Sequence, residues 1–286
     1  MLRRARPLLG TVVEIAVCAA DDAAERYACD AGFAAIADVH RLMSFHERES
    51  DVARVNRAAH QRPVEVDRRT ATVLRRARAI AALSGGAFDC TVGARMVELG
   101  LLPADGAPSA ARGAGPRDIA VDGGDRVRFR RPLAIDLGGI AKGFAVDQAV
   151  AALVRAGASA GCVNAGGDLR VFGDRDWPVA VRRPDAPAAS VALPPLRDGA
   201  LATTADSFAP RGHVIDPATG RARRRPVSVS VVAPSCMDAD ALTKVVWLAP
   251  HPPLLLLERM HARTILLRCS DADSECAPAG GLRAVG

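Results

Sequence analysis

The chain has 286 residues, of which 49% are hydrophobic and 24% charged, ordinary proportions for a globular protein long enough to bury a substantial core. Its formal charge of +6 suits an anionic ligand, but the arginines are scattered and the densest run, Arg221 to Arg225, is short, which argues against a nucleic-acid surface. The seven cysteines contain no C-x-x-C pair and no zinc-like Cys/His spacing, and no stretch is long and apolar enough to span a bilayer.

The first residues have the basic-then-apolar order of a secretory signal, but the apolar run is short, carries Gly10 and Glu14, and alternates like a strand. Residues 8–18 are therefore expected as a strand, and the protein as cytoplasmic as encoded, or periplasmic if the true start lies upstream. Apolar spacing at Phe33, Ile36, Val39 and Leu42 predicts a helix over 22–43. Ser50 and Asp67 are N-cap candidates for helices to about 58 and over 68–83, the second stopping at Gly85-Gly86, where positive φ costs little. Residues 101–117 read as a Pro/Gly/Ala-rich surface loop.

Short strands near 118–121, 126–130 and 133–136 precede a helix over 140–156. Strands near 161–165, 168–173 and 178–182, a Pro/Ala loop over 183–197, and strands near 199–204, 213–215 and 226–233 follow. Helices at 237–248 and 252–260 and a strand at 263–268 complete the pattern. Short strands mixed with helices, without a regular βαβ repeat, indicate an α+β fold. One domain is expected over 1–270, with a loose tail at 271–286.

Five segments carry chemistry. Gly85 to Thr91 pairs two glycines, which let backbone approach a ligand, with Asp89; a helix cap followed by an Asp turn is the plainer reading. Ala134 to Asp147 reads as strand, Gly-Gly turn and first helical turn, a geometry that aims N–H groups and the helix dipole at an anion, with Lys142 adding charge and Asp136 able to accept from a sugar or adenine donor. It lacks G-x-G-x-x-G, so a Rossmann nucleotide site is a poor fit. Val163 to Asp168 places another double glycine after a strand. His213 to Gly220 offers His213, a side chain suited to proton transfer near neutral pH, before an Asp216-Pro turn. Met237 to Lys244 opens a helix with Asp238 and Asp240, which suit either helix capping or a hard cation such as Mg²⁺.

Together and in this order the segments are specific. Leu8 to Thr11, Met43 to Asn56 (MSFHERESDVARVN), GGAFDCTVG, IDLGGIAKGFAVD, VNAGGDLRVFG, Leu201 to Thr204, HVIDPATG and Ala239 to Lys244 resemble the FAD:protein FMN transferases, the ApbE family, formerly called thiamine-biosynthesis lipoproteins. The resemblance implies a T-fold-like α+β architecture with FAD in a cleft, Mg²⁺-dependent transfer of FMN to a Thr or Ser hydroxyl of a client flavoprotein, and release of AMP. A protein that binds FAD, or hydrolyses it to FMN and AMP without a protein acceptor, is the alternative.

By motif position, the resemblance implies that His46, Ala87, Phe88, Asp89, Asp136, Lys142, His213 and Ile215 contact FAD, with His213 and Asp216 catalytic. Gly139, through its carbonyl, with Asp240 and Thr243 would hold Mg²⁺. This chain departs from the pattern four residues after Asp240, where many relatives place Thr and it has Lys244, its Thr243 lying one residue earlier. Either Thr243 reaches the cation from i+3, or the Lys244 ammonium takes its place.

Overall fold

The computed structural model describes residues 1–104, 109–186, 188–206 and 214–268. The chain opens with an antiparallel pair, β1 (Leu2–Leu8) and β2 (Thr11–Cys18), joined at Leu9-Gly10, both at positive φ (56° and 70°), the turn geometry that matches strand twist. The predicted strand over 8–18 is therefore the second arm of a hairpin. The first arm lacked an apolar period because its half-buried face carries Arg4 and Arg6, which reach Asp30 at 2.8 and 2.7 Å.

Three capped helices follow, with the predicted caps Ser50 and Asp67 in place and Asp21, not singled out in the sequence, capping the first. Asp21 accepts from Ala24 N–H ahead of α1 (Asp22–Met43), Ser50 from Ala53 N–H ahead of α2 (Asp51–Ala58), and Asp67 from Arg69 N–H ahead of α3 (Arg68–Leu83). The two-residue β3 (Val64–Glu65) and the short α4 (Gly93–Glu98) were not anticipated. Next come β4 (Ile119–Val121), β5 (Arg126–Phe129), α5 (Ala141–Arg155), β6 (Ala160–Ala165), β7 (Asp168–Phe172), β8 (Trp177–Arg182), β9 (Ser190–Leu196) and β10 (Gly199–Ala205). The described chain ends with β11 (Ile215–Asp216), β12 (Arg221–Ala222), β13 (Val227–Ala233), α6 (Cys236–Leu248), α7 (Leu254–Arg259) and β14 (Arg263–Arg268).

Seven strands form one antiparallel sheet in the order β1-β2-β6-β7-β10-β13-β14. Its side chains divide by the strand period of two. In β7, Phe172 joins the main core with Phe33 of α1, Ala145 of α5 and Leu242 of α6, while Leu169 and Val171 turn to the opposite face and pack on Trp177 and Val181 of β8. Helices therefore cover one face and the β8–β9 hairpin part of the other. Segment 183–197 is mostly not the expected loop: β9 pairs with β8, and the register shifts between Trp177 and Val179, opposite Pro194 and Pro195, which lack a ladder N–H.

Segment 133–136 is not a sheet strand. The Asn56 amide bridges the Ile135 backbone, donating to its C=O at 2.9 Å and accepting from its N–H at 2.8 Å, so a side chain stands where a neighbouring strand would pair. Gly93 N–H reaches Ala134 O at 3.2 Å and Asp136 N–H reaches Cys90 O at 2.8 Å. The basic run at 221–225 is not simply solvated, because Arg225 donates to Trp247 O at 2.7 Å and caps the end of α6. The tail expected at 271–286 lies outside the described residues.

Helices α5 and α6 cap one another. The Asp147 carboxylate of α5 accepts from Cys236 and Met237 N–H at the start of α6, both at 2.9 Å, while Asp240 Oδ2 of α6 accepts from Gly143 N–H in the first turn of α5 at 3.1 Å. The approach is so close that a Cβ on Gly143 would stand 2.2 Å from Cys236 O, which makes glycine obligatory there. Ser235 supplies the local cap of α6, and Asp238 is held by Arg76 at 2.6 and 2.8 Å.

Candidate active site

A cavity of about 1160 Å³ opens where these elements converge. The β1–β2 turn, the end of α1, the 87–90 segment, the Gly138-Gly139 turn before α5, the β6–β7 turn, β10 and Val214-Ile215 bound it. Among the residues singled out in the sequence, His46, Ala87, Phe88, Asp89, Asp136, Gly139, Lys142 and Ile215 line it. Asp216, Asp240 and Thr243 do not, and His213 lies outside the described residues.

Distant segments meet here for local reasons. The Asn56 bridge to Ile135 and the Asp136–Cys90 bond hold the 87–90 segment beside the Gly138-Gly139 turn. Asp136 Oδ2 accepts from Gly138 N–H at 3.1 Å, and burial pushes its carboxyl above the usual carboxylate range. Burial also pushes Asp89 up, opposed by Thr91, whose N–H and hydroxyl both donate to it at 2.6 Å. Phe88 is buried against the core and, with Ile215, supplies an apolar wall. The Asp216 carboxylate accepts from Ala218 N–H at 3.0 Å, fixing the turn between β11 and β12.

Two ammonium groups line the charged side of the cavity, each backed by a buried carboxylate behind the wall. Lys142 Nζ lies 2.7 Å from Asp168 Oδ2, and Lys244 pairs with Asp240 Oδ1. Burial alone would lower the Lys142 pKa, but Asp168 and then Asp240 more than offset it and hold the ammonium charged, above its usual range. Asp168 is pushed up by burial and by Asp240, against the pull of Lys142. Asp168 Oδ1 also accepts from Thr203 N–H at 3.2 Å, tying β7 to β10. In the sequence, Asp168 stands out only as the end of a glycine turn. Its signal was a carboxylate at the first position of a strand whose neighbours at i+2 and i+4 face the helices.

The ApbE family model matches residues 9–265. The chain belongs to the ApbE family. It is 33% identical to the FAD:protein FMN transferase of Vibrio cholerae over 227 residues, covering 72% of this chain and 68% of that protein. Against the FAD:protein FMN transferase of Treponema pallidum it is 30% identical over 276 residues, 84% of this chain and 76% of that one. The solved flavin transferase ApbE from Vibrio cholerae superposes with a TM-score of 0.80 at 25% identity, over 97% of this chain and 96% of that chain. The expected α+β architecture of the ApbE family is the fold observed.

The Mg²⁺ ligands that the resemblance suggested do not fit a divalent cation in this ApbE chain. Asp240 is fully buried, with one oxygen on Lys244 and the other on Gly143 N–H. The Thr243 hydroxyl donates to Asp240 O at 2.7 Å, lies 2.8 Å from Thr204 Oγ1, and is also fully buried. Over Gly139 lies the Lys244 stem, with Cε 3.6 Å from where a Cβ would stand. Among the described residues no group of three or more His, Cys, Asp or Glu side chains is arranged to hold a metal.

Proposed function

We propose that this protein binds FAD in the cavity and transfers its FMN half to a Thr or Ser hydroxyl of a client flavoprotein, releasing AMP. The observation that carries the reading is the large cavity with an apolar wall at Phe88 and Ile215 and two ammonium groups beside a Gly-Gly turn. At about 1160 Å³ it exceeds the roughly 300–1000 Å³ of ordinary small-ligand sites, as a two-part ligand with a charged middle requires. The relatives named FAD:protein FMN transferase supply the chemistry to test.

In the transfer, the acceptor hydroxyl oxygen attacks the flavin-side phosphorus of the diphosphate. A new P–O bond joins FMN to the acceptor, the P–O bond to the adenosine-side phosphate breaks, and AMP departs with that electron pair while the hydroxyl proton is released. The residues at hand position and neutralise rather than form bonds with the ligand. Lys142 and Lys244 offset charge on the diphosphate, the Gly139 N–H beside the start of α5 orients it, and Asp89 and Asp136 accept from ring or sugar donors. Taking the hydroxyl proton falls to His213, the residue the family resemblance makes catalytic, and Asp216 fixes the turn between β11 and β12.

The test incubates the purified protein with FAD and a peptide carrying Thr or Ser acceptors, following peptide mass and AMP. The expected result is a peptide heavier by one FMN with an equal amount of AMP. AMP without labelled peptide points instead to FAD hydrolysis, and neither product with any acceptor peptide overturns the reading.

A further inference from the structure

We propose that the Lys244 ammonium, held by Asp240, replaces the divalent cation at the FAD diphosphate, so that FAD binding and cleavage here proceed without metal. The inference rests on the FAD reading above and concerns how that site handles phosphate charge.

Four observations converge on one atom. Lys244 is four residues after Asp240 on α6, so one helix face sets the pair. Its ammonium takes Asp240 Oδ1 and also donates to Asp240 O at 3.1 Å, using two of three N–H directions. Among the described residues the third has no partner, and Lys244 lines the cavity. The Lys244 stem packs beside Gly139, and its ammonium already holds the Asp240 oxygen assigned to the cation.

Charge balance argues the same way. Lys142 and Lys244 match Asp168 and Asp240 one for one, so neither of these two carboxylates is left uncompensated to attract a dication. A dication at Asp240 would have to displace an ammonium whose carboxylate is fully buried and share space with its charge. Lys244 is instead placed to offer its free N–H to a phosphate oxygen. As AMP leaves, that N–H neutralises charge growing on the bridging or terminal oxygen, while bonds break and form as in the transfer above. A point charge of +1 is a weaker neutraliser than a dication, but Lys142 stands on the other side of the same space.

The test uses the full chain freed of metal by chelation, with FAD binding read from flavin fluorescence and turnover from AMP release in the presence of a Thr- or Ser-bearing acceptor peptide. Wild type is expected to bind FAD and release AMP at rates within about twofold in EDTA and in millimolar Mg²⁺. Titration calorimetry of Mg²⁺ into the FAD-loaded protein is expected to show no saturable site. Lys244→Thr, checked for its melting temperature, is expected to bind FAD at least tenfold more weakly in EDTA and to recover with Mg²⁺. Lys244→Met is expected to lose affinity in both buffers. Wild type that needs Mg²⁺ for binding or cleavage overturns the inference without any variant, whatever the variants' folding. Wild type that binds no FAD in either buffer overturns the FAD reading and this inference with it.

Discussion

Replacing Gly143 by alanine tests the helix pair that builds the charged wall. Helix propensity alone favours alanine by about 1 kcal/mol at an interior helical position. The structure opposes that gain, because the new Cβ would lie 2.2 Å from Cys236 O, 2.6 Å from Cys236 C and 2.9 Å from Asp240 Cβ. Two of these are backbone atoms at the start of α6, which cannot rotate away as a side-chain tip can, so the upper end of the usual overpacking cost, about 3 kcal/mol, applies. Separating the helices also weakens the Gly143 N–H bond to Asp240 Oδ2. The net loss is about 2 kcal/mol or more, a fall in Tm of roughly 4–8 °C. Urea denaturation at constant m measures it, with Gly32→Ala as the comparison. There the Cβ meets the Ile15 Cδ1 tip at 2.9 Å, so the loss is expected to be clearly smaller. A Gly143→Ala protein as stable as wild type, or more so, refutes the close-approach argument.

Further outcomes follow from the same contacts. Asp147→Ala removes the acceptor for Cys236 and Met237 N–H and the partner of Arg170 at 2.8 Å, an expected loss of about 3 kcal/mol in urea denaturation, with Asp147→Asn intermediate. Asn56→Ala strands the Ile135 N–H and C=O; about 2–4 kcal/mol of stability and at least tenfold in FAD affinity by fluorescence titration are expected to go. Asp136→Asn tests the raised carboxyl. Because burial raises its folded pKa above the unfolded value of about 4, its contribution is fully present below that pH and is lost as pH rises through the folded pKa. In Tm scans of the apoprotein, Asp136→Asn is expected to exceed wild type at pH 7 and to match it near pH 3.5; no pH-dependent gap contradicts the burial argument.

What the sequence made legible were features written within a few residues. The caps at Ser50 and Asp67, the apolar stripe of α1 and the glycine stop after α3 each have a local cause, and the fold follows them. The ordered motifs gave the family because each binds its neighbours to one cavity. Features set by long-range pairing were not legible. Strand β1 hid its period behind Arg4 and Arg6, whose partner Asp30 lies on a helix more than twenty residues away. Segment 133–136 has strand composition but takes its hydrogen bonds from Asn56 and Cys90. At the site, the sequence left open where Thr243 and Lys244 point, which packing sets: Thr243, at i+3, turns inward to Thr204, while Lys244, at i+4, shares the face of Asp240. Asp168 was invisible as a partner of Lys142 because the two meet only when α5 lies on β7.

The most direct test of the account is a crystal structure of the protein with FAD bound. The account places the diphosphate against the Gly138-Gly139 turn, within hydrogen-bond reach of the Lys142 and Lys244 ammonium groups, with the apolar wall at Phe88 and Ile215 against a ring. FAD bound outside this cavity, or with its diphosphate away from both lysines, contradicts it.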